Sequence, residues 1–152
     1  MTSVLYDEIF VKFWGNIQDY DIPKMDSSDV NFMMIEYLHK ASSRTYVRRL
    51  FKSLKFDDEK LHLTYELGVV TDEDQDKDFI TTILAKGMVV EWLSPYVKSK
   101  LNMAQMFTGA EQKFYSQANH LSELRSLLED TKQDLEKEIL DRNYAYNEYL
   151  GD

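Results

Sequence analysis

Residues 85–97 read AKGMVVEWLSPYV, a helical stretch with apolar side chains on nearly every side. A helix that is apolar all round must lie deep in a core, sit in a membrane, or have one face covered by another chain. The longest mostly apolar window, Phe79 to Val97, contains Lys86 and Glu91 and is interrupted by Pro95, which argues against a membrane span. The expectation is therefore either that another copy of the chain covers part of this helix or that the helix lies in an ordinary core.

Upstream, TDEDQDKD (71–78) supplies a cap and an acidic first turn, so the helix is read from about Asp76 to Tyr96. Gly87 in its middle costs about 1 kcal/mol relative to Ala, which implies that another backbone passes close by. Pro95 removes a hydrogen bond to the carbonyl of Glu91 and predicts a bend or an end near Ser94. Downstream, SKLNMAQMFTGAEQKFYSQ (99–117) reads as a connector, with Leu101, Met103, Met106, Phe107, Phe114 and Tyr115 too many large apolar groups for a solvated loop. Leu121, Leu124, Leu128, Leu135, Ile139, Tyr146 and Tyr149 then form one stripe along a final helix from about Ser116 to Tyr149. At about 1.5 Å per residue that helix spans ~50 Å, more than the width of a small domain. It is expected to project, or to lie against something other than its own core.

Toward the N-terminus, SVLYDEIFVKFWGNIQ (3–18) predicts a short helix, and DYDIPKMDSSD (19–29) a turn-rich link in which Pro23 forces Ile22 out of the helical region. Ser28 or Asp29 then caps a second helix, ending near Ser42, along which Phe32, Ile35, Glu36, His39 and Lys40 follow the 3.6 period. RTYVRRLFKSLKF (44–56) places Tyr46, Val47, Leu50, Phe51 and Leu54 at amphipathic helical spacing, with a basic opposite face. KLHLTYELGVV (60–70) alternates Leu61, Leu63, Tyr65 and Leu67 with polar residues and reads as a strand or hairpin arm.

These elements predict a mainly α fold in a single domain: a small helical bundle with a long C-terminal helix and a short β-strand or hairpin insertion. Residues 1–115 form the body, with the strand or hairpin near 61–70, and residues 116–152 the long helix and its tail. A chain of 152 residues can build one core of modest size. Hydrophobic residues at 43%, charged residues at 30%, two prolines and five glycines describe an ordered, helix-rich protein. The absence of cysteine excludes disulfides, thiolate metal sites and cysteine nucleophiles. The opening MTSVLYDEIFVKFWGN, with Asp7 and Glu8 in its apolar part, does not read as an export signal. A net charge of −9 argues against general nucleic-acid binding, which needs a basic surface, but would keep a DNA-lined channel from becoming sticky.

No complete chemical signature stands in the chain. Glu36 and His39 have the Glu-x-x-His spacing of carboxylate-bridged metal sites, yet the second pair and two further carboxylates are missing, and HLSE (120–123) is only a reversed echo. No catalytic residue, metal ligand or cofactor site is assigned. His62, alone in the extended segment, is expected exposed or half-buried. The stretch Lys40 to Lys55 carries Lys40, Arg44, Arg48, Arg49, Lys52 and Lys55 without an acidic residue. It is either a solvated face or an electrostatic docking face for an acidic neighbour, since DDE (57–59), DEDQDKD (72–78) and the last helix offer complementary charge. Trp92, the apolar residues between 101 and 115, and Tyr144, Tyr146 and Tyr149 of the closing RNYAYNEYLGD complete the candidate interface, because aromatic residues and Met are enriched in interface cores.

The run DFITTILAKGMVVEWLSPYVKSKLNMAQMFTGAEQKFYSQANHLSELRSLLEDTKQDLEKEI (78–139), with LYDEIF (5–10) before the turn DYD (19–21), resembles the head-to-tail adaptor (connector) proteins of tailed bacteriophages. The resemblance implies a mostly helical, non-enzymatic virion neck component, assembled in the host cytoplasm as a ring, commonly a dodecamer, beneath the portal protein. It further implies that the ring continues the DNA channel without specific DNA binding and presents a surface to a tail-side neck or tail-completion protein. The long C-terminal helix or its tail would dock on the portal, and the central helix would belong to the subunit body. A ring subunit must bury apolar groups on two heterologous faces, which fits the apolar surplus. The alternative is a small cytoplasmic helical regulatory or binding module acting by protein–protein interaction.

Overall fold

A computed structural model describes the backbone of residues 2–17, 27–106 and 111–145, and their side chains except at 27–30, 96, 99–106 and 111–121. The chain opens as a strand, β1 (Thr2–Leu5), before α1 (Tyr6–Ile17). The helix expected from residue 3 therefore starts later. Leu5 is held at the junction, where its N–H donates to Glu8 Oε2 at 3.0 Å, and the Tyr6 N–H donates to the Leu61 carbonyl at 2.9 Å. Along α1, Tyr6, Ile9, Phe13 and Ile17 are buried at spacings of three and four, the inward stripe of an amphipathic helix.

Helix α2 (Ser27–Ser43) ends one residue beyond the expected stop. The next segment overturns an expectation. RTYVRRLFKSLKF is not one amphipathic helix: α3 (Thr45–Arg48) makes a single turn, and the chain then extends as β2 (Phe51–Asp57). The spacing of Val47, Leu50, Phe51 and Leu54 suits a helix locally, but pairing with β3 (His62–Leu67) decides the outcome, and a helical wheel cannot register a partner strand. A bulge between Phe51 and Ser53 also blurs the two-residue alternation in β2 that would have given the strand away. The β2–β3 turn is tied by Asp57 Oδ1, which accepts from the backbone N–H groups of Glu59 and Lys60 at 3.2 and 3.0 Å.

The strands make an antiparallel sheet in the order β1-β3-β2. In β3, Leu63, Tyr65 and Leu67 are buried and alternate with half-buried His62, Thr64 and Glu66, so the strand read from KLHLTYELGVV is present with the expected period.

Helix α4 (Glu73–Met106) starts where the acidic cluster predicted. Asp72 caps it, its Oδ2 accepting the Gln75 N–H at 3.3 Å. The helix does not stop at Pro95. It continues through that residue to Met106, and α5 (Glu111–Ala145) covers most of the expected final helix. The described residues of the connector, 99–106 and 111–117, are therefore helical. Phe107 lies outside the described residues, as do Tyr146 and Tyr149.

Helix α4 forms the axis of the core. Ala85, Met88, Val89, Val90, Leu93 and Val97 are buried in the chain itself, with α1, α2 and α5 all packed on α4. Of the two readings of AKGMVVEWLSPYV, the ordinary core holds, for its described apolar side chains need no second copy for their burial. The reading of the final helix is corrected. Leu124, Leu128, Leu135 and Ile139 are buried in that same core, so α5 folds back antiparallel along α4. Gly87 marks the close backbone approach expected of it, for a Cβ there would stand 2.9 Å from Ala41 Cβ on α2. Mainly α, with a long C-terminal helix and a small sheet, is the fold of this chain.

Candidate interaction surface

Charge first fixes the base of the α4–α5 hairpin. Asp76, in the first turn of α4, has a side chain only 6% exposed, and it accepts hydrogen bonds from the Thr71 N–H at 2.9 Å, from Thr71 Oγ1, and from Arg142 Nη2 of α5 at 2.6 Å. Burial alone would raise the Asp76 pKa, but the Thr71 and Arg142 bonds outweigh it and hold the carboxyl below its ordinary value. Arg142 also donates to the Val69 carbonyl at 3.0 Å and lies over the Phe79 ring, 4.5 Å from its centroid. One guanidinium therefore joins α5, α4 and the segment leading into α4.

A second polar cluster links the sheet to the helices. The Tyr6 hydroxyl donates to Asp58 Oδ1 at 2.5 Å, and His39 Nε2 lies 2.9 and 3.0 Å from the two oxygens of the same carboxylate. Burial, and then the Asp58 bond, pushes the Tyr6 phenol well up; the Tyr6 bond, opposed by burial and aided by His39, holds Asp58 down. Among the described residues the cluster does not form a Ser–His–Asp arrangement. Tyr6 is too weak an acid to serve as a base at neutral pH, and the Ser42 hydroxyl donates to the His39 carbonyl at 2.9 Å instead of facing the imidazole. Glu36, the other half of the candidate metal pair, turns to Lys40 at 3.1 Å. Among the described residues no group of three or more His, Asp or Glu could hold a metal ion, and no described helix is long and apolar enough to cross a membrane.

The basic run divides into separate tasks. Arg44 makes a two-pronged bond to the buried Glu91 carboxylate at 2.6 and 2.9 Å, tying the end of α2 to α4. Arg48 Nη1 donates to the Phe51 carbonyl at 3.0 Å and braces the turn into β2. Lys52 stands 3.6 Å from Glu66 across the sheet. Arg49 and Lys55 have no ion pair among the described residues. Of the cations read as a docking face, Arg48, with Lys40, lines one open concavity of about 380 Å³ beside His39, Leu54 and Phe56, and Arg49 lines another.

That concavity is a groove of about 440 Å³ between α3 and the C-terminal half of α5. Tyr46, Leu135, Ile139 and Leu140 supply its apolar surface, and Arg49, Lys132 and Glu136 its charged lips. Tyr46 is 41% and Leu140 55% exposed, so a real part of the groove is apolar surface open to water. On the other side of the molecule, Val11 and Trp14 of α1 are 69% and 40% exposed. Both were legible as residues out of step with the Ile9, Phe13, Ile17 stripe.

The remaining candidate residues fall in different places. Trp92 is half-buried, its ring edge-on to Phe13 with centroids 6.3 Å apart, and is part of the α1–α4 packing. Tyr144 is 75% exposed near the end of α5. Leu101, Met103 and Met106 lie on α4 and Phe114 and Tyr115 on α5, with side chains outside the described set. The structure thus separates Arg49 and the groove from the far end of the hairpin. Compared with protein-family models, curated proteins and solved structures, the chain matches none.

Proposed function

We propose that the chain is a structural assembly subunit of the head-to-tail adaptor kind, joining copies of itself into a ring beneath a portal, continuing a DNA channel and offering a surface to a neck or tail component. The observation that carries this reading is the length of the α4–α5 hairpin. At about 1.5 Å per residue, α4 spans ~51 Å, whereas α1 and α2 span only ~18 and ~26 Å. The polar and ring contacts that α1, α2 and the α2–α3 junction make with α4 fall between Lys77 and Trp92. Among the described residues these contacts stop at Trp92, ~21 Å short of the end of α4 at Met106. Beyond Trp92, α4 carries Leu101, Met103 and Met106, and the facing start of α5 carries Phe114 and Tyr115, a composition suited to contact with a partner.

The acidic balance supports the same reading. Between Ser122 and Ala145, α5 holds Glu123, Glu129, Asp130, Asp134, Glu136, Glu138 and Asp141 against Arg125, Lys132, Lys137 and Arg142. An anionic lumen repels phosphate and lets duplex DNA slide, whereas a basic one would bind it.

Native mass spectrometry of the purified chain, alone and mixed with a portal ring, is the test. A closed oligomer that forms on the portal, with a net acidic lumen when imaged, is the expected result. A stable monomer or dimer indifferent to the portal would remove the adaptor reading and leave the regulatory or binding module.

A further inference from the structure

The exposed apolar residues do not form one patch. Two of the faces that carry them match each other in shape and charge. On α1, Asp7, Val11 and Trp14 stand four and three residues apart, a single stripe on the outer side of the helix, and all three are exposed. Asp7 has no ion pair among the described residues. Across the molecule lies the groove of Tyr46, Leu135, Ile139 and Leu140, with the unpaired Arg49 on its lip beside Lys132, whose contact with Glu129 is only 4.0 Å. One face is a convex apolar ridge with an anionic end; the other is a concave apolar trough with a cationic lip.

Their relative placement follows from α4. The α4 residues that meet α1 are Lys77, Thr82 and Trp92, paired with Glu8, Lys12 and Phe13. Those that meet α5 are Asp76, Phe79 and Lys86, paired with Arg142 and Glu138. At 3.6 residues per turn the two sets point about 150° apart around the helix. The outer side of α1 and the groove side of α5 therefore face nearly opposite ways, and no copy can fill its own groove with its own ridge.

We infer that the α1 ridge of one copy seats in the α3–α5 groove of the next, Val11 and Trp14 entering against Leu140 and Tyr46 while Asp7 meets Arg49. Two different faces, nearly opposite on the subunit, make a head-to-tail contact that either closes into a ring or continues as a filament. Trp14 is the anchor, a large amphipathic side chain of the kind that dominates interface energetics. The inference rests on the self-assembling reading given above and adds to it which surfaces touch.

The chain has no cysteine, so single introduced thiols report contacts cleanly. Val11→Cys and Leu140→Cys chains, each shown to retain native melting and circular dichroism, are mixed under assembling conditions and treated with a short bismaleimide. Cross-linked dimers in the mixture, and not in either variant alone, are the expected result. Dimers from Val11→Cys alone would mean that like faces meet and would overturn the inference. An oligomer intact by native mass with no cross-link in the mixture would overturn it while leaving self-assembly standing; a chain monomeric in every condition would sink both. Independently, Asp7→Lys and Arg49→Glu should each weaken assembly at least tenfold in a salt-dependent way, and the two together should restore most of it. Failure of the double variant to recover would count against the pairing of these two residues.

Discussion

Ala41 and Gly87 show how little room separates α2 from α4. A methyl group at position 87 would sit 2.9 Å from the Ala41 methyl, closer than two carbons can stand without movement. Overpacking of this kind costs about 1–3 kcal/mol, and the better helix propensity of Ala returns about 1 kcal/mol. Gly87→Ala is therefore expected to lower stability by up to ~2 kcal/mol, read as a shifted urea midpoint at unchanged slope. Combining it with Ala41→Gly should bring the midpoint back, since Gly and Ala would only have exchanged helices. A Gly87→Ala chain as stable as the parent would show that α2 moves freely on α4. The sequence flagged Gly87 as a point of close approach because a mid-helix glycine needs a reason. It did not flag Asp76, one of seven charged or polar residues in DEDQDKD, because only the fold brings Arg142 to it across 66 positions.

At the scale of elements, long helices were legible and their partners were not. The apolar stripe from Leu124 to Ile139 announced α5, and the acidic TDEDQDKD announced the start of α4. The missing information was that the two run antiparallel side by side, so a helix too long for a small domain is accommodated by another of equal length. Short elements fared worse. β1 has four residues, and β2 carries a bulge and a helix-compatible spacing, so both depend on β3 for their identity. The helix end read near Pro95 is absent for a local reason. The proline removes one hydrogen bond, but the surrounding turns are buried at Leu93 and Val97, and that packing carries the helix through. The Asp76–Arg142 pair is the joint between the two long helices. Asp76→Ala should cost about 3–5 kcal/mol, because it leaves a guanidinium that is only 9% exposed without its carboxylate. Hydrogen exchange should quicken first in the last turns of α5. Uniform acceleration across both helices would instead mean that the pair supports the global fold and not that joint.

For the whole molecule, acid is the revealing variable. Asp76, Asp58 and Glu8 are each held below their ordinary values, Asp76 by Thr71 and Arg142 against burial, Asp58 chiefly by Tyr6, and Glu8 chiefly by Lys77. A carboxyl depressed by folding adds stability above its unfolded pKa, and that contribution is lost as pH falls through the folded value. The melting temperature should therefore hold between neutral pH and about 5, then fall steadily below about 4. Asp76→Asn should flatten that acid limb. A melting temperature unmoved down to pH 2.5 would show that these pairs contribute nothing to folding.

The bond from Arg142 to Asp76 also has a mechanical meaning. It pins both helices at one end, so a push or pull applied near Met106 and Glu111, at their other ends, is shared by two rods lying side by side. Neither rod can slip past the other by one turn, ~5.4 Å, without breaking that bond. Whatever seats at those far ends would thus feel a stiff lever, braced at its base on Val69 and Thr71 just beyond β3.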